Sequence, residues 1–270
     1  MRIDAHQHFW LLKDRAGQWP PAELTPIYRD FVPVDLQPLL TVAKMDGTIL
    51  VQTMERREDT KFMLDLAAKT AFIKGVVGWV DLAAPDAVSV ISSLAQNRLL
   101  KGLRPMLQDL PDDEWIAHPR LDAAIDTMIE HDLAFDALVK PRQLQALRRR
   151  VERHADLRVV IDHCAKPEIS KGRFISWQKD MAALSIYPGV YCKLSGLLTE
   201  SGQQKTEALR PYIETILDLF GPKRTLWGSD WPVLRLAGNY LDWLHLCEAI
   251  VPKYHHDAVF GGNTAQFYRI

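Results

Sequence analysis

Short runs dominated by apolar and β-branched residues recur along the chain: RIDAHQHF, GTILVQTM, IKGVVGWVDL, LKGLRPML, LAFDALV, LRVVIDH, GVYCKLSG and RTLWGSDW. Between them, DTKFMLDLAAKTAF, PDAVSVISSLAQN, RLDAAIDTMIEHD and PRQLQALRRRVERHAD carry apolar residues at helical spacing, and several open on Pro or Asp. Strand and helix therefore alternate from end to end, which predicts a parallel sheet with right-handed crossovers. Eight units at roughly 30-residue spacing suit an α/β fold of the distorted TIM-type (β/α)8 barrel kind better than an open doubly wound sheet. One domain spanning residues 1–270 is expected. No G-x-G-x-x-G follows the first strand, so a dinucleotide-binding fold loses its main support. The longest departures from the alternation are Leu11 to Val34 after the first strand and QDLPDDEWIAHP after the fourth. Both follow the C-terminal ends of strands, where barrel enzymes build their sites from loops.

Charge narrows the partner. With 33 basic and 34 acidic residues the chain has a formal charge of -1, which leaves no electrostatic footprint for nucleic acid or an anionic membrane surface. A small-molecule partner is expected. Three cysteines, Cys164, Cys192 and Cys247, show no paired spacing, so neither a disulfide framework nor a cysteine metal site is indicated. Without a signal-peptide pattern or a run of about 18 apolar residues, the expectation is a cytoplasmic protein.

Barrel strands are usually apolar on both faces, so a charged or imidazole side chain near a strand's C-terminal end needs a reason. Six of the eight strands carry one: His6 and His8 on the first, Arg104 on the fourth, Asp136 on the fifth, His163 on the sixth, Lys193 on the seventh and Asp230 on the eighth. Each has a structural reading. A lone strand histidine is usually a hydrogen-bonded core residue, Asp230 in WGSDWP could accept amides at the last turn, and Lys193 could pair with a neighbouring acid. Together they weigh more, because burying several charges at one end of a barrel is costly unless they pair or serve chemistry. The H-x-H of the first strand sets two imidazoles side by side, within reach of one cation or one carbonyl oxygen. Among eight tryptophans, Trp10, Trp19, Trp115 and Trp231 fall in or beside strand-to-helix loops, where they either line a ligand cavity or pack the loop down.

The motifs DAHQHFW, GLRPMLQD, FDALVKPRQL, VVIDHCAKP, YCKLSGLLTE, LWGSDWPV and FGGNTAQFY resemble the amidohydrolase-related lactonase family, whose members open L-fucono-, L-rhamnono- and 2-pyrone-4,6-dicarboxylate lactones. The resemblance runs the length of the chain. It implies a distorted barrel and hydrolysis of a sugar-acid lactone, and it matches the family's site histidines to His6, His8 and His163 and its last-strand acid to Asp230. On the fifth strand, metal-dependent deaminases and amidases of the wider superfamily carry a carboxylated lysine, glutamate or histidine. Asp136 stands near there instead, so a two-metal site is not expected. The cofactor expectation is none, or one zinc-like divalent ion held by His6, His8 and Asp230.

Lactone hydrolysis needs a base for water, donors or positive charge at the developing oxyanion, and an acid for the departing ring oxygen. Asp230 suits the base, while His6, His8 and His163 suit polarisation of the carbonyl. Arg104, Lys193, Asp136, Trp10, Trp115 and Trp231 are candidates for contact with the substrate. The rival reading is a metal-dependent decarboxylase of the same superfamily acting on an unsaturated acid. A barrel that binds without turnover is a third.

Overall fold

A computed structural model describes residues 1–15, 17–202 and 206–270. Eight strands, β1 (Ile3–Gln7), β2 (Gly47–Val51), β3 (Ile73–Gly78), β4 (Leu100–Leu103), β5 (Ala134–Ala137), β6 (Val159–Ile161), β7 (Val190–Leu194) and β8 (Thr225–Trp227), pair in sequence order. Every neighbouring pair is parallel. The connecting helices include α1 (Pro33–Ala43), α2 (Arg57–Ala67), α3 (Ala87–Leu94), α4 (Asp122–Glu130), α5 (Leu144–Arg153) and α6 (Phe174–Ser185). After β7 come α7 (Leu197–Glu200) and α8 (Arg210–Phe220), and after β8 come α9 (Tyr240–Ile250) and α10 (Asn263–Tyr268). This is a TIM-type (β/α)8 barrel.

Two apolar layers hold it. The larger lies between strands and helices and takes in Leu50, Val76, Leu103, Phe135, Ile161 and Trp227 with helix residues such as Met63, Ile125, Leu147 and Ile213. The smaller gathers Ile3, Ala5, Ile49, Val51, Val77, Ala134, Val160 and Leu226, packed against Phe267 and Tyr268 of α10.

The sheet closes beside the polar residues of interest. Gln7 bridges to Trp231, the His8 amide donates to the Trp231 carbonyl (2.7 Å), and the Asp230 amide donates to the His6 carbonyl (2.8 Å). Several strands end one to three positions before their chemistry: β4 before Arg104, β6 before His163 and β8 before Asp230. Once the backbone leaves the ladder, a polar side chain can turn into the barrel mouth instead of facing a helix. No helix among the described residues is long and apolar enough to cross a membrane.

Candidate active site

The closing seam sets His6, His8 and Asp230 together. The two imidazoles stand edge to face with centroids 4.9 Å apart. His8 Nδ1 lies 2.7 Å from the Val51 carbonyl oxygen, which can only accept, so Nδ1 carries the proton. That leaves His8 Nε2 facing Asp230 Oδ1 at 3.1 Å. A bare ring nitrogen and a carboxylate oxygen tolerate such an approach only across a shared proton or a cation. Asp230 Oδ1 is also 3.8 Å from His6 Nε2 and 3.8 Å from His163 Nε2. Three imidazoles thus surround one carboxylate oxygen. Burial by itself pushes the Asp230 carboxyl up, but His163, followed by His8 and His6, outweighs it and holds the group well below the usual carboxylate range.

His163 reaches this cluster through an unusual backbone. Residues His163, Cys164, Ala165 and Lys166 all have positive φ, between 48° and 60°, giving a left-handed turn immediately after β6. Such a conformation costs non-glycine residues about 1–2 kcal/mol each, so the surrounding packing must hold it. Part of that support is visible: Trp177 Nε1 donates to the Cys164 carbonyl (2.7 Å), and His163 Nδ1 shares a 2.8 Å hydrogen bond with the buried Ser195 hydroxyl. At Gly196, which itself has φ 66°, a Cβ would meet His163 Cγ at 2.6 Å, so a side chain there would displace the ring. Burial lowers the His163 pKa to about 4 despite Asp230, and the imidazole is neutral at pH 7.

Beneath this cluster lies a second, denser set of charges. Lys193 Nζ is 2.5 Å from Asp136 Oδ2 and 3.0 Å from Asp162 Oδ1, while Arg104 Nη1 donates to Asp162 Oδ2 at 3.2 Å. Tyr268, from α10, donates its hydroxyl to Asp136 Oδ2 at 2.6 Å. Burial raises the Asp136 pKa against the pull of Lys193. For Asp162 the burial effect is overcome by Lys193 and then His6, and its carboxyl sits well below the ordinary range. His6 links the two sets. Its Nδ1 is 3.2 Å from Lys193 Nζ and 3.4 Å from Asp162 Oδ1, and its Nε2 is 3.3 Å from Arg104 Nη1, so donor cations face both ring nitrogens and Asp162 is the acceptor beside the ring's inner edge. Burial, reinforced by Lys193, lowers the His6 pKa far enough to keep it neutral.

Above Asp230 opens a cavity of about 360 Å³. His8, His163, Arg104 and Asp230 form its floor, and Trp19, Met106, Leu138, Val233 and Leu236 supply apolar wall. The Lys166–Glu200 ion pair (2.8 Å) and Thr53, Gln108 and Asp109 add polar wall.

Several residues expected to touch substrate lie elsewhere. Lys193 and Asp136 are completely buried and border no part of this cavity, because each is committed to the other and to Asp162 or Tyr268. Trp10 is buried with its indole N–H donated to the Arg29 carbonyl (2.8 Å) and its ring against Trp19 and Phe31. Trp231 packs against Phe9 and Phe31, and Trp115 is half-buried against the outer core. These three tryptophans pin the excursions down rather than line the cavity; of the four in or beside loops, Trp19 is the one that lines it.

Sequence reasoning missed Asp162, Ser195 and Lys166, together with Gln52, whose amide donates to the Arg104 carbonyl (2.7 Å). A signal existed for two of them. Asp162 stands directly before His163 at a strand end, and Gln52 is a polar residue at the end of a strand set aside as carrying no charge.

Among the described residues, two groupings could hold a cation: His6, His8 and Asp230, and His6, Asp162 and His163, each with donor atoms within 4.8 Å of one another. The first fits a single ion. A ligating histidine characteristically fixes its other nitrogen on a carbonyl, as His8 does on Val51, and His8 Nε2 and Asp230 Oδ1 converge. His6 joins them only if Arg104 releases its Nε2. The second grouping does not fit, since Asp162 is already neutralised by Lys193 and Arg104.

Comparisons with known proteins identify the family. A family model described as amidohydrolase matches residues 3–270. The chain is 52% identical over 278 residues to an L-fucono-1,5-lactonase of Burkholderia ambifaria, covering 100% of this chain and 96% of that protein. It is 32% identical over 286 residues to an L-fucono-1,5-lactonase of Burkholderia multivorans, covering 100% and 96%. A crystal structure of an amidohydrolase from Burkholderia multivorans with bound zinc superposes with a TM-score of 0.91 at 33% identity, covering 100% of this chain and 99% of the other.

Proposed function

Because the chain belongs to the amidohydrolase family, and because its relatives at 52% and 32% identity are lactonases, we propose that it hydrolyses the ring of a sugar-acid lactone. L-Fucono-1,5-lactone is the first substrate to test, ahead of L-rhamnono- and other aldonolactones. The observation that carries the reading is Asp230: an ionised carboxylate on the floor of a cavity, with three imidazole nitrogens within 3.8 Å of one of its oxygens.

In this reading a water held by Asp230 attacks the lactone carbonyl and passes its proton to the carboxylate. Arg104 and the Nε2 side of His163, which border the cavity, receive the carbonyl oxygen as it gains charge, while His8, its proton committed to the Val51 carbonyl, helps to hold Asp230 in place. The ring C–O bond then breaks, and the proton held on Asp230 goes to the departing ring oxygen, freeing the carboxylate for the next turnover. The new carboxyl ionises on release. Thr53, Gln108, Asp109, Lys166 and Glu200 suit the sugar hydroxyls, and Leu138, Val233 and Leu236 suit its apolar face. A divalent ion, when bound, would be held by His8 and Asp230 with His6, and would add Lewis-acid polarisation at the same oxygen.

The decarboxylase reading is weaker, since the relatives that cover the whole chain at these identities are lactonases. Three buried free cysteines suit a reducing compartment, and we place the protein in the cytoplasm with a small molecule as its partner. A pH-indicator assay with L-fucono-1,5-lactone should show acid release well above spontaneous hydrolysis. No enzymatic turnover of any aldonolactone, with decarboxylation of an unsaturated acid instead, would overturn the function.

A further inference from the structure

A second cavity, of about 290 Å³, lies between the excursion that follows β1 and the start of α2. Its walls include Trp10, Asp14, Arg15, Glu58, Asp59 and Phe62. Arg15 is its unusual member. The residue is 3% exposed, and neither Nη1 nor Nη2 has a hydrogen-bond partner among the described residues. Its nearest acid, Asp59 Oδ1, stands 3.9 Å from Nη2, beyond hydrogen-bond range, and Asp59 already accepts the Thr53 amide through Oδ2 at 3.3 Å. Beside the guanidinium, 5.3 Å from its carbon, is the Trp10 ring, which offers no acceptor oxygen.

A buried guanidinium fork without acceptors is a large unmet demand, because its desolvation is not returned by hydrogen bonds. The group that satisfies such a planar fork best is a carboxylate, bound through two parallel N–H···O contacts. The rest of the wall narrows the ligand further. Asp14 and Glu58 accept hydrogen bonds from hydroxyls, the three acids of the wall (Asp14, Glu58 and Asp59) outnumber its two cations (Arg15 and Arg56) and so disfavour a second negative charge, and Phe62 offers an apolar face. A monocarboxylate bearing several hydroxyls meets all three conditions.

We propose that this cavity is a second binding site for an aldonate, the product class of the reaction above, with its carboxylate on Arg15 and its hydroxyls on Asp14 and Glu58. The choice of ligand class rests on the lactonase reading. Asp59 places the site in touch with the active site, since the Thr53 amide it holds belongs to a residue lining the catalytic cavity.

Equilibrium dialysis of the full chain against L-fuconate tests this without turnover. One bound equivalent should persist in Asp230→Asn, weaken about tenfold or more in Arg15→Met, and weaken less in Arg15→Lys, which keeps the charge but loses the fork. Binding that is indifferent to Arg15 would overturn the site. Should Arg15→Met fail to fold, a wild-type crystal soaked in L-fuconate decides: a carboxylate against the guanidinium supports the site, and water alone there refutes it. Absence of lactone turnover counts against the proposed function only, because dialysis reads binding alone.

Discussion

Asp230 and Asp136 are both aspartates at barrel strands, both buried, and their fates differ because of what stands beside them. Around Asp230 are three imidazoles, of which His6 and His163 are held neutral, and an open cavity. Around Asp136 are an ammonium and a phenol, with no opening. A carboxylate that is ionised yet not matched by a fixed cation remains free to take a proton from a substrate water. One locked against Lys193 and Tyr268 has no such freedom and serves as foundation. The distinction separates chemistry from support more sharply than residue type or position along the strand does, since by those two criteria the pair is alike.

The foundation should be the easier of the two to break. Lys193→Met leaves Asp136 and Asp162 facing each other without their shared cation, and removing one partner of a buried ion pair typically costs about 3–5 kcal/mol. Denaturant unfolding is the check. A loss below about 1 kcal/mol would mean that the lower set is not a supporting network.

Acid should sharpen the same contrast. Folded His163 titrates at about 4 against an ordinary 6.5, so below 6.5 the unfolded chain binds more protons than the folded one. Stability should therefore fall as pH drops from 6.5 towards about 4, by up to about 1.4 kcal/mol per pH unit for each such group. His6 adds to this slope in the same direction. Asp230 acts in a separate window, because its lowered pKa withdraws stability only below the ordinary 3.8. Melting temperatures of wild type and His163→Asn between pH 7 and 4 are the measurement, and the variant should show the shallower slope. Equal slopes would remove His163 from the effect.

A smaller change should come from Tyr268→Phe, which deletes one hydrogen bond to Asp136 while keeping the ring that packs at the base of the barrel. A cost of about 1–2 kcal/mol is expected, with turnover per folded molecule close to wild type. A marked fall in turnover at unchanged stability would show that the lower set participates in the chemistry.

Much of this arrangement was legible in the chain. Eight apolar runs gave eight strands, because each is bounded by turn residues and separated by helical spacing, and the alternation leaves few topologies. The convergence of His6, His8, His163 and Asp230 followed from their positions at strand ends, since a barrel brings all such ends to one mouth. Depth within that mouth was not legible. Lys193 and Asp136 lie within strands and His163 and Asp230 two and three positions past the ends of theirs, a difference that periodicity cannot resolve. Nor could the left-handed turn after β6 be foreseen, because His163, Cys164, Ala165 and Lys166 include no glycine to announce it. Trp10 and Trp231 looked like cavity walls from their loop positions, but only the fold reveals that they face Phe31.

Asp230→Asn carries the heaviest test. Asparagine keeps the shape and one acceptor oxygen of aspartate but cannot take a proton from water, so turnover of a lactone that the wild type hydrolyses should fall by roughly 10²–10⁴, the scale of a positioned general base. Measured on the same sample, the melting temperature should stay near that of the wild type. Turnover per folded molecule close to wild type, in a protein that melts markedly earlier, would make Asp230 a structural acceptor like Asp136 and contradict the assignment of chemistry to this carboxylate.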